Sequence, residues 1–587
     1  MHGMVSPPQD VPAGNADGKG KQKQNWLSAV LLTLLAALVL WLYDGHMVSG
    51  LIRADAMDFA QLGRNLINGH GLTTYILRPL ALTHGANAVA QPDVTHGPLY
   101  PFLLALAFGI LGVKDSVVQI VSGLCFILTV PLMILLGQRL FNRSVGLLGA
   151  VVLLFNPAML QYASEGSSVP LMMLLATCLF LTLDRVAVKS QSVGTDPAIK
   201  PPKAALVMTG ILAGLLYLTE PFLFWILPIL VVAVVRWHPH RRALATLWIL
   251  LPLSLIVLPS MVRFGMLTGN PVFGIRGAEF WMTTKAYPGY TGYRMTPEDV
   301  DLGSGLFKSI LLKIFLAVNS GMGALQSMPA NCLLLFVVPG LFFRYGDRGV
   351  NKIRSVAIAC LIGVFLGDAF LTFDGSLLMV VFPALLLYAL AYLTHLLQEA
   401  KLNSLAVSLA STGMGAVLLF PLMASLLTTR EPIVAQEVQV AHALQSRSRQ
   451  DEVSLSDQPW IAAWYANRPS IWMPATDTRI TSLRKQFPNA RWLFLTPEAR
   501  GLSQEWNVAF SGLMTWNQEY QQAQQAMQRP PMVLRISGQQ FPLTEALDGF
   551  EAVPPIGTDT PAALLAVAPA FAGKSSARVG TGVVFAK

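Results

Sequence analysis

Side chains able to exchange protons or hold an anion concentrate in a few places along the chain. Asp55 and Asp58 stand three apart in Asp55-Ala-Met-Asp58-Phe59-Ala-Gln-Leu62-Gly-Arg64-Asn-Leu66, and His70, His96 and Tyr100 follow within the same segment, 44–116. A second segment, 265–327, interleaves Arg276, Lys285 and Arg294 with Phe280, Trp281, Tyr287, Tyr290 and Tyr293. Glu165 lies in a short connector, Tyr162-Ala-Ser-Glu165-Gly-Ser-Ser-Val169-Pro. A positioned carboxylate can act as a general base, and Arg or Lys can bind phosphate. Each residue also has a plainer use. An acid at a helix start is favoured by the helix dipole, which would suffice for Asp55. Asp58 could line a solvated helix face and Glu165 an exposed loop. Aromatics mixed with cations anchor membrane interfaces. His70 and His96 have no spacing of a recognised metal site. Asp368 and Asp374 sit beside apolar runs, where an acid is a functional candidate by default.

The elements that must position these residues are set by composition. Of 587 residues, 53% are hydrophobic and 12% charged, with mean hydropathy +0.52. Globular proteins carry about 25% charged residues. A soluble enzyme, a disordered chain and a nucleic-acid-binding domain are therefore excluded, and a polytopic membrane protein with some soluble mass remains. Apolar runs near 26–43, 117–138, 144–162, 168–184, 204–219, 221–236, 243–264, 328–343, 355–372, 376–396 and 405–427 approach spanning length. Two further runs, 98–113 and 306–325, are interrupted by prolines or lysines.

The net charge of +9 belongs to the membrane half, because acids and bases nearly balance after Thr428. Segments 139–143, 185–203, 236–242 and 344–354 are basic, whereas connectors 163–167, 220–221 and 373–375 have no Lys or Arg. The positive-inside rule puts the first set in the cytoplasm and the second outside. Agreement then requires 98–113 and 306–325 to be juxtamembrane or re-entrant helices on the outer face. The expected fold is an α-helical polytopic membrane protein of about 11 spans, with a small C-terminal extracytoplasmic α/β domain. Residues 1–25 read as a disordered cytoplasmic tail, 26–427 as the membrane domain with outer segments 44–116 and 265–327, and 428–587 as the external domain. All four cysteines lie in apolar runs, so no disulfide framework is implied.

Within segment 44–116, Phe59, Leu62, Leu66 and Ile67 recur near a 3.6-residue period, so 55–66 is expected to form an amphipathic helix on the membrane, ended by Asn68-Gly69. Thr95-His96-Gly97-Pro98-Leu99-Tyr100-Pro101 opens a second such helix. In the tail, Val434–Leu444 reads as a helix, Arg491–Thr496 as a strand and Trp506–Met527 as a Gln-rich helix, with the last ~40 residues loosely ordered.

The order of an acid, an aromatic-Ala-x-x-x-Arg-Asn-Leu helix, Gly-x-Gly and a Pro-Leu-Tyr-Pro helix resembles the C-type (GT-C) membrane glycosyltransferases. The resemblance is to the bacterial relatives of protein O-mannosyltransferases and of the lipid A aminoarabinose transferase, a family-39-like group. It runs on through Gln138-Arg139-Leu-Phe-Asn-Arg143, Phe155-Asn-Pro157, Tyr162-Ala-Ser-Glu165 and Gly214-Leu-Leu-Tyr-Leu-Thr-Glu220-Pro221. Trp464-Tyr-Ala-Asn-Arg-Pro469 is similar to the external domains of the same enzymes. The chain departs from the pattern at Ala56, where a second acid often stands, at His96-Gly97, at Val169 and at Glu220 in place of a cation.

The resemblance implies a transferase in a bacterial inner membrane, with its N-terminus in the cytoplasm and its C-terminal domain outside. The donor would be a polyprenyl-phosphate-linked sugar, transferred with inversion to an external protein, lipid or envelope glycan. Asp55 would be the catalytic base. Inversion needs only one such carboxylate, without a covalent nucleophile. Asp58 and Glu165 would orient the acceptor or a metal, a divalent ion being the one cofactor left open. Arg64, His96, Tyr100, Arg276, Lys285 and Arg294 would bind the donor phosphate, whose growing charge calls for cations. Membrane lipids would surround the chain, and nucleic acid is no partner. Two rival readings are a transporter or flippase of lipid-linked glycan and a non-catalytic subunit of a membrane complex.

Overall fold

The computed structural model describes residues 18–47, 50–84, 91–195, 201–280, 294, 306–327, 331–371, 375–400, 413, 415–416, 419–420, 422–424, 427, 433–474, 478–496, 550–552 and 563–567. Five described helices are long and apolar enough to cross a membrane: Trp26–Gly45, Asp115–Leu140, Val169–Ser190, Pro239–Thr268 and Arg348–Gly367. A bent pair, Arg143–Leu154 with Pro157–Ser164, would make a sixth. Spans expected at 405–427, the helix at 506–527 and the side chains of Asp368 and Asp374 lie wholly or mostly outside the described residues.

The first helix, α1, covers Gly18–Met47 and so begins inside the stretch read as a disordered tail. After it come α2 (Ala54–Ile67), α3 (Leu99–Leu111), α4 (Asp115–Leu140), α5 (Arg143–Leu154) and α6 (Pro157–Ser164). The α2 helix forms where the sequence pattern put one, but it is buried nearly all round, Gln61 and Asn65 included, and Ile67 of the expected apolar face is exposed. At 13 residues, α3 is only about 20 Å long, short of a hydrocarbon core of about 30 Å. The run at 144–162 is not one straight helix. Asn156 accepts a hydrogen bond from Met159 N–H (3.1 Å) and Pro157 takes the first helical position, so a new helix starts there, bent by 57° from α5. That bend carries the chain from Gln161 to Glu165 back toward α2.

Helices α7 (Val169–Thr195), α8 (Lys203–Thr219), α9 (Ile226–Trp237) and α10 (Arg242–Thr268) continue the bundle, with a 3-10 turn at Pro221–Trp225 between α8 and α9. Gly97 lies flat against the end of α8. A Cβ at Gly97 would stand 2.2 Å from the Leu218 carbonyl oxygen, so only glycine allows this approach.

The C-terminal region builds a six-stranded sheet in the order β2-β5-β4-β6-β8-β7. Strands β4 (Val453–Ser456), β5 (Ser470–Trp472) and β6 (Ala490–Leu495) are parallel, as buried parallel strands require covered faces. Strands β7 (Phe550–Ala552) and β8 (Ala563–Val567) add antiparallel, within the segment expected to be loosely ordered. The helix Ile433–Arg447 bears out the reading of 434–444.

The sixth strand comes from elsewhere. Ile76–Leu77 (β2), in the segment between α2 and α3, pairs parallel with Ser470–Ile471. A two-residue pair, β1 (Thr73–Thr74) with β3 (Gln91–Pro92), braces it from the same segment. A small apolar cluster of Leu80, Ala81, Val94, Ile275 and Trp472 joins the first segment, the second segment and the sheet. The C-terminal region and the two long segments thus share one end of the helix bundle.

Candidate functional site

The site is built where the α2 start meets the α6 end. Arg53 occupies the N-cap position of α2 without a capping side-chain bond. Asp55 falls in the first turn, where the free N–H groups and the dipole favour a carboxylate. The Asp55 carboxylate accepts hydrogen bonds from Arg53 Nε at 2.8 Å and from the buried Ser167 hydroxyl at 3.1 Å. Its side chain keeps about a third of its surface accessible, 34%. The Glu165 carboxylate approaches the same guanidinium, 3.8 Å from Arg53 Nη1, and accepts from Gln161 Nε2 at 2.8 Å. The ring of Tyr162 lies 4.9 Å beneath the Arg53 guanidinium carbon. Asp44, near the end of α1, lies beside Ser164.

Two effects compete at Asp55. Burial pushes its pKa up, but the charge and hydrogen bond of Arg53, the Ser167 hydroxyl and the Ala56 N–H together outweigh it. The carboxyl is held below the usual value of 3.8 and stays ionised. An ionised carboxylate, partly open, next to a fixed cation can accept a proton from a hydroxyl that docks there.

Asp58 is not on a solvated face. It is 4% exposed, one turn further into α2 than Asp55. There it pairs with Arg78 and lies 3.4 Å from His96 Nε2. The other ring nitrogen of His96 is 3.3 Å from Asp93 Oδ1, and Asp93 Oδ2 accepts the His96 backbone N–H at 3.0 Å. Burial works against a charged His96, but Asp58 and Asp93 prevail and raise its pKa above 6.5. Burial likewise opposes ionised Asp93, and His96 with Arg78 and Arg263 brings it down to about 2. His96 is thus enclosed by carboxylates, a poor setting for a phosphate. Tyr100 is buried and donates to the Gly166 carbonyl at 2.8 Å.

The nominated arginines are engaged with protein groups. Arg64 donates from Nη1 to the Trp464 carbonyl (2.8 Å) and from Nη2 to the Ala463 carbonyl (2.6 Å), with the Trp464 ring 5.0 Å away. Those carbonyls belong to a π-helical turn, Ala462–Ala466, closed by Asn467 in a left-handed conformation (φ 51°). Such a turn shifts its backbone bonds to i→i+5. Trp464 Nε1 and the Tyr465 hydroxyl then donate to Asp115, at 2.7 and 2.9 Å. Arg64 is thus tied to the C-terminal domain through two backbone carbonyls. Arg276 donates to Glu279 at 3.0 Å and lies over Phe222. Arg294 donates to the carbonyls of Met473 (2.6 Å) and Pro474 (3.0 Å), beyond β5. Lys285 lies outside the described residues, and His70 is exposed.

Sequence reasoning missed Arg53, Arg78 and Asp93. Asp58 and Glu165 do not converge. The guanidinium of Arg53 already stands between Asp55 and Glu165, while Asp58 faces Arg78 and His96. Among the described residues no group of three or more His, Cys, Asp or Glu side chains could hold a metal ion. The acids gathered around Arg53 do not fit a divalent cation.

Comparison with known proteins agrees with this architecture. Residues 95–264 match the family described as dolichyl-phosphate-mannose-protein mannosyltransferase. The solved archaeal oligosaccharyltransferase AglB from Archaeoglobus fulgidus, in complex with an inhibitory peptide and a dolichol-phosphate, superposes with a TM-score of 0.55 at 12% identity, covering 81% of this chain and 70% of that one. ArnT from Cupriavidus metallidurans, bound to undecaprenyl phosphate, gives a TM-score of 0.50 at 13% identity, covering 94% of this chain and 99% of that one. The fold is that of the GT-C glycosyltransferases. Comparison with curated proteins found no match. As a GT-C fold with several apolar helices, the chain is a multi-pass membrane protein. Helices α2, α3 and α6 carry Asp55, Tyr100 and the approach to Glu165.

Proposed function

We propose that this protein is a membrane glycosyltransferase that moves a sugar from a polyprenyl-phosphate-linked donor to an extracytoplasmic acceptor, with inversion at the anomeric carbon. The observation that carries this is the Asp55 carboxylate: ionised, one-third open, and set between the first helices of a GT-C fold. Asp55 takes the proton from the acceptor hydroxyl as that oxygen attacks the anomeric carbon, and the lipid phosphate leaves. Only one carboxylate is needed for this in-line route. Arg64, Arg276 and Arg294 donate to protein groups, and on sequence grounds Lys285 of the second long segment is a further cation proposed for the phosphate.

The two proteins of like fold hold dolichol-phosphate and undecaprenyl phosphate, which supports a lipid-phosphate donor. The basic connectors support a cytoplasmic N-terminus, 11 spans and a C-terminal domain outside a bacterial inner membrane. Mass spectrometry of glycolipids and glycoproteins in cells carrying the wild-type gene, no gene, or Asp55→Asn tests the reading. A glycan product should appear with the first alone. A product that persists with Asp55→Asn would remove Asp55 from its role.

A further inference from the structure

We propose that Arg53 is a resident cation of the site, standing between the carboxylates of Asp55 and Glu165 in the place a bound divalent ion would otherwise fill, and acting as a positioning residue for the base. The proposal rests on the reading of Asp55 as base. Its own foundation is geometric. One guanidinium lies 2.8 Å from Asp55 and 3.8 Å from Glu165, with Tyr162 stacked below it. Three pieces of chain meet there: the start of α2, the last turn of α6 and the connector bearing Glu165 and Ser167.

Two carboxylates brought together from separate elements repel, and one of them tends to take up a proton. A carboxylate that carries a proton cannot accept another from the acceptor. A neighbouring positive charge removes that conflict. Many sites draw the charge from a metal ion, whose occupancy follows its concentration. Arginine supplies it permanently, because it does not lose its proton in proteins, and its planar fork fixes direction as well as charge. Around this centre Asp44 lies beside Ser164, Gln161 donates to Glu165 and Ser167 donates to Asp55. The pair is thus oriented from both sides while Arg53 neutralises it. Arg53 also joins the start of α2 to the end of α6, so its loss would let Asp55 swing away from the connector.

The full-length protein in lipid nanodiscs tests this with Mn2+ alone as probe, read by electron paramagnetic resonance. In the wild type, no Mn2+ signal should depend on Glu165. In Arg53→Gln a bound Mn2+ should appear, and it should vanish again in Arg53→Gln/Glu165→Gln. Arg53→Lys, which keeps the charge, should bind none. A second readout is release of polyprenyl phosphate from a synthetic polyprenyl-phosphate hexose. Wild-type release should be indifferent to EDTA, and Arg53→Gln should lose about 100-fold, the scale on which a positioned base contributes, with Mn2+ restoring part of the loss. Wild-type Mn2+ binding that disappears in Glu165→Gln would overturn the proposal, and that arm holds even where Arg53→Gln fails to fold. An Arg53→Gln protein that folds yet gains no Mn2+ would overturn it equally. Retained transfer in Asp55→Asn would instead sink the base assignment and leave the Mn2+ result standing.

Discussion

Asp55 and Asp58 lie one turn apart on the same short helix, and the protein treats them in opposite ways. Asp55 meets Arg53 at a surface where its side chain is 34% exposed, while Asp58 meets Arg78 and His96 in a site that leaves it 4% exposed. Both are acid–cation pairs, but burial gives them different work. An accessible pair stabilises little, and its acid remains available to a substrate. A sealed pair costs heavily if one partner is lost, since the other charge is left without water or counter-ion. The open pair near the start of α2 is left available to a ligand, and the sealed pair one turn on holds the segment down.

The largest expected effect separates the two acids by activity. Asp55→Asn should lower transfer by about 10²–10⁴-fold and leave the melting temperature of the purified protein nearly unchanged. Because its pKa is held below 3.8, wild-type transfer should fall on acidification only in that low range. Arg53→Lys should keep the acid limb low. A rate that already collapses near neutrality would contradict the ionised base.

Next in size is the converse change. Asp58→Asn should destabilise the fold by about 3–5 kcal/mol, the cost of orphaning a buried charge, visible as a lower midpoint in thermal unfolding in detergent. Arg78→Met added to it should recover much of the loss. Equal midpoints for Asp58→Asn and Asp55→Asn would erase the contrast between the open and the sealed pair.

The pH dependence of stability sharpens the sealed cluster. His96 has a raised pKa, so its contribution is full below 6.5 and is lost as pH rises through the raised value. Asp93 is depressed to about 2, so its contribution is full above 3.8 and is lost as pH falls toward 2. Midpoints measured against pH should decline on both flanks, and His96→Gln should flatten the alkaline one. The most local effect belongs to Arg64→Met, which removes two bonds to backbone carbonyls from the docking of the C-terminal domain. Hydrogen exchange should rise at Ala462–Arg468 while residues of α4 stay protected.

Local patterns in the sequence made some of this legible. The recurrence of Phe59, Leu62 and Leu66 gave α2 and placed Asp55 in its first turn. The apolar runs gave most of the bundle, and Arg491–Thr496 gave β6. What escaped depends on partners distant in the chain. Asp58 and Arg78 are separated by the rest of α2 and by turns and two-residue strands, whose pattern says nothing of the pairing. The partners of Arg64 are backbone carbonyls roughly 400 residues away, which carry no residue signature. Strand β2 has two residues, too few for alternation to show. Arg53 precedes the helix and carries no pattern that points to Glu165, because only the bend at Asn156-Pro157 brings Glu165 to it.

Strand β2 ties residue 76 to residue 470, so the sheet is sewn across most of the chain's length. During synthesis the second turn of the working segment has nothing to lie against until the final third emerges and crosses to the same side. A ribosome-bound fragment ending before Val453 should leave Thr73–Leu77 open to protease. Docking of the first long segment therefore waits on Ser470–Ile471, made much later in the chain.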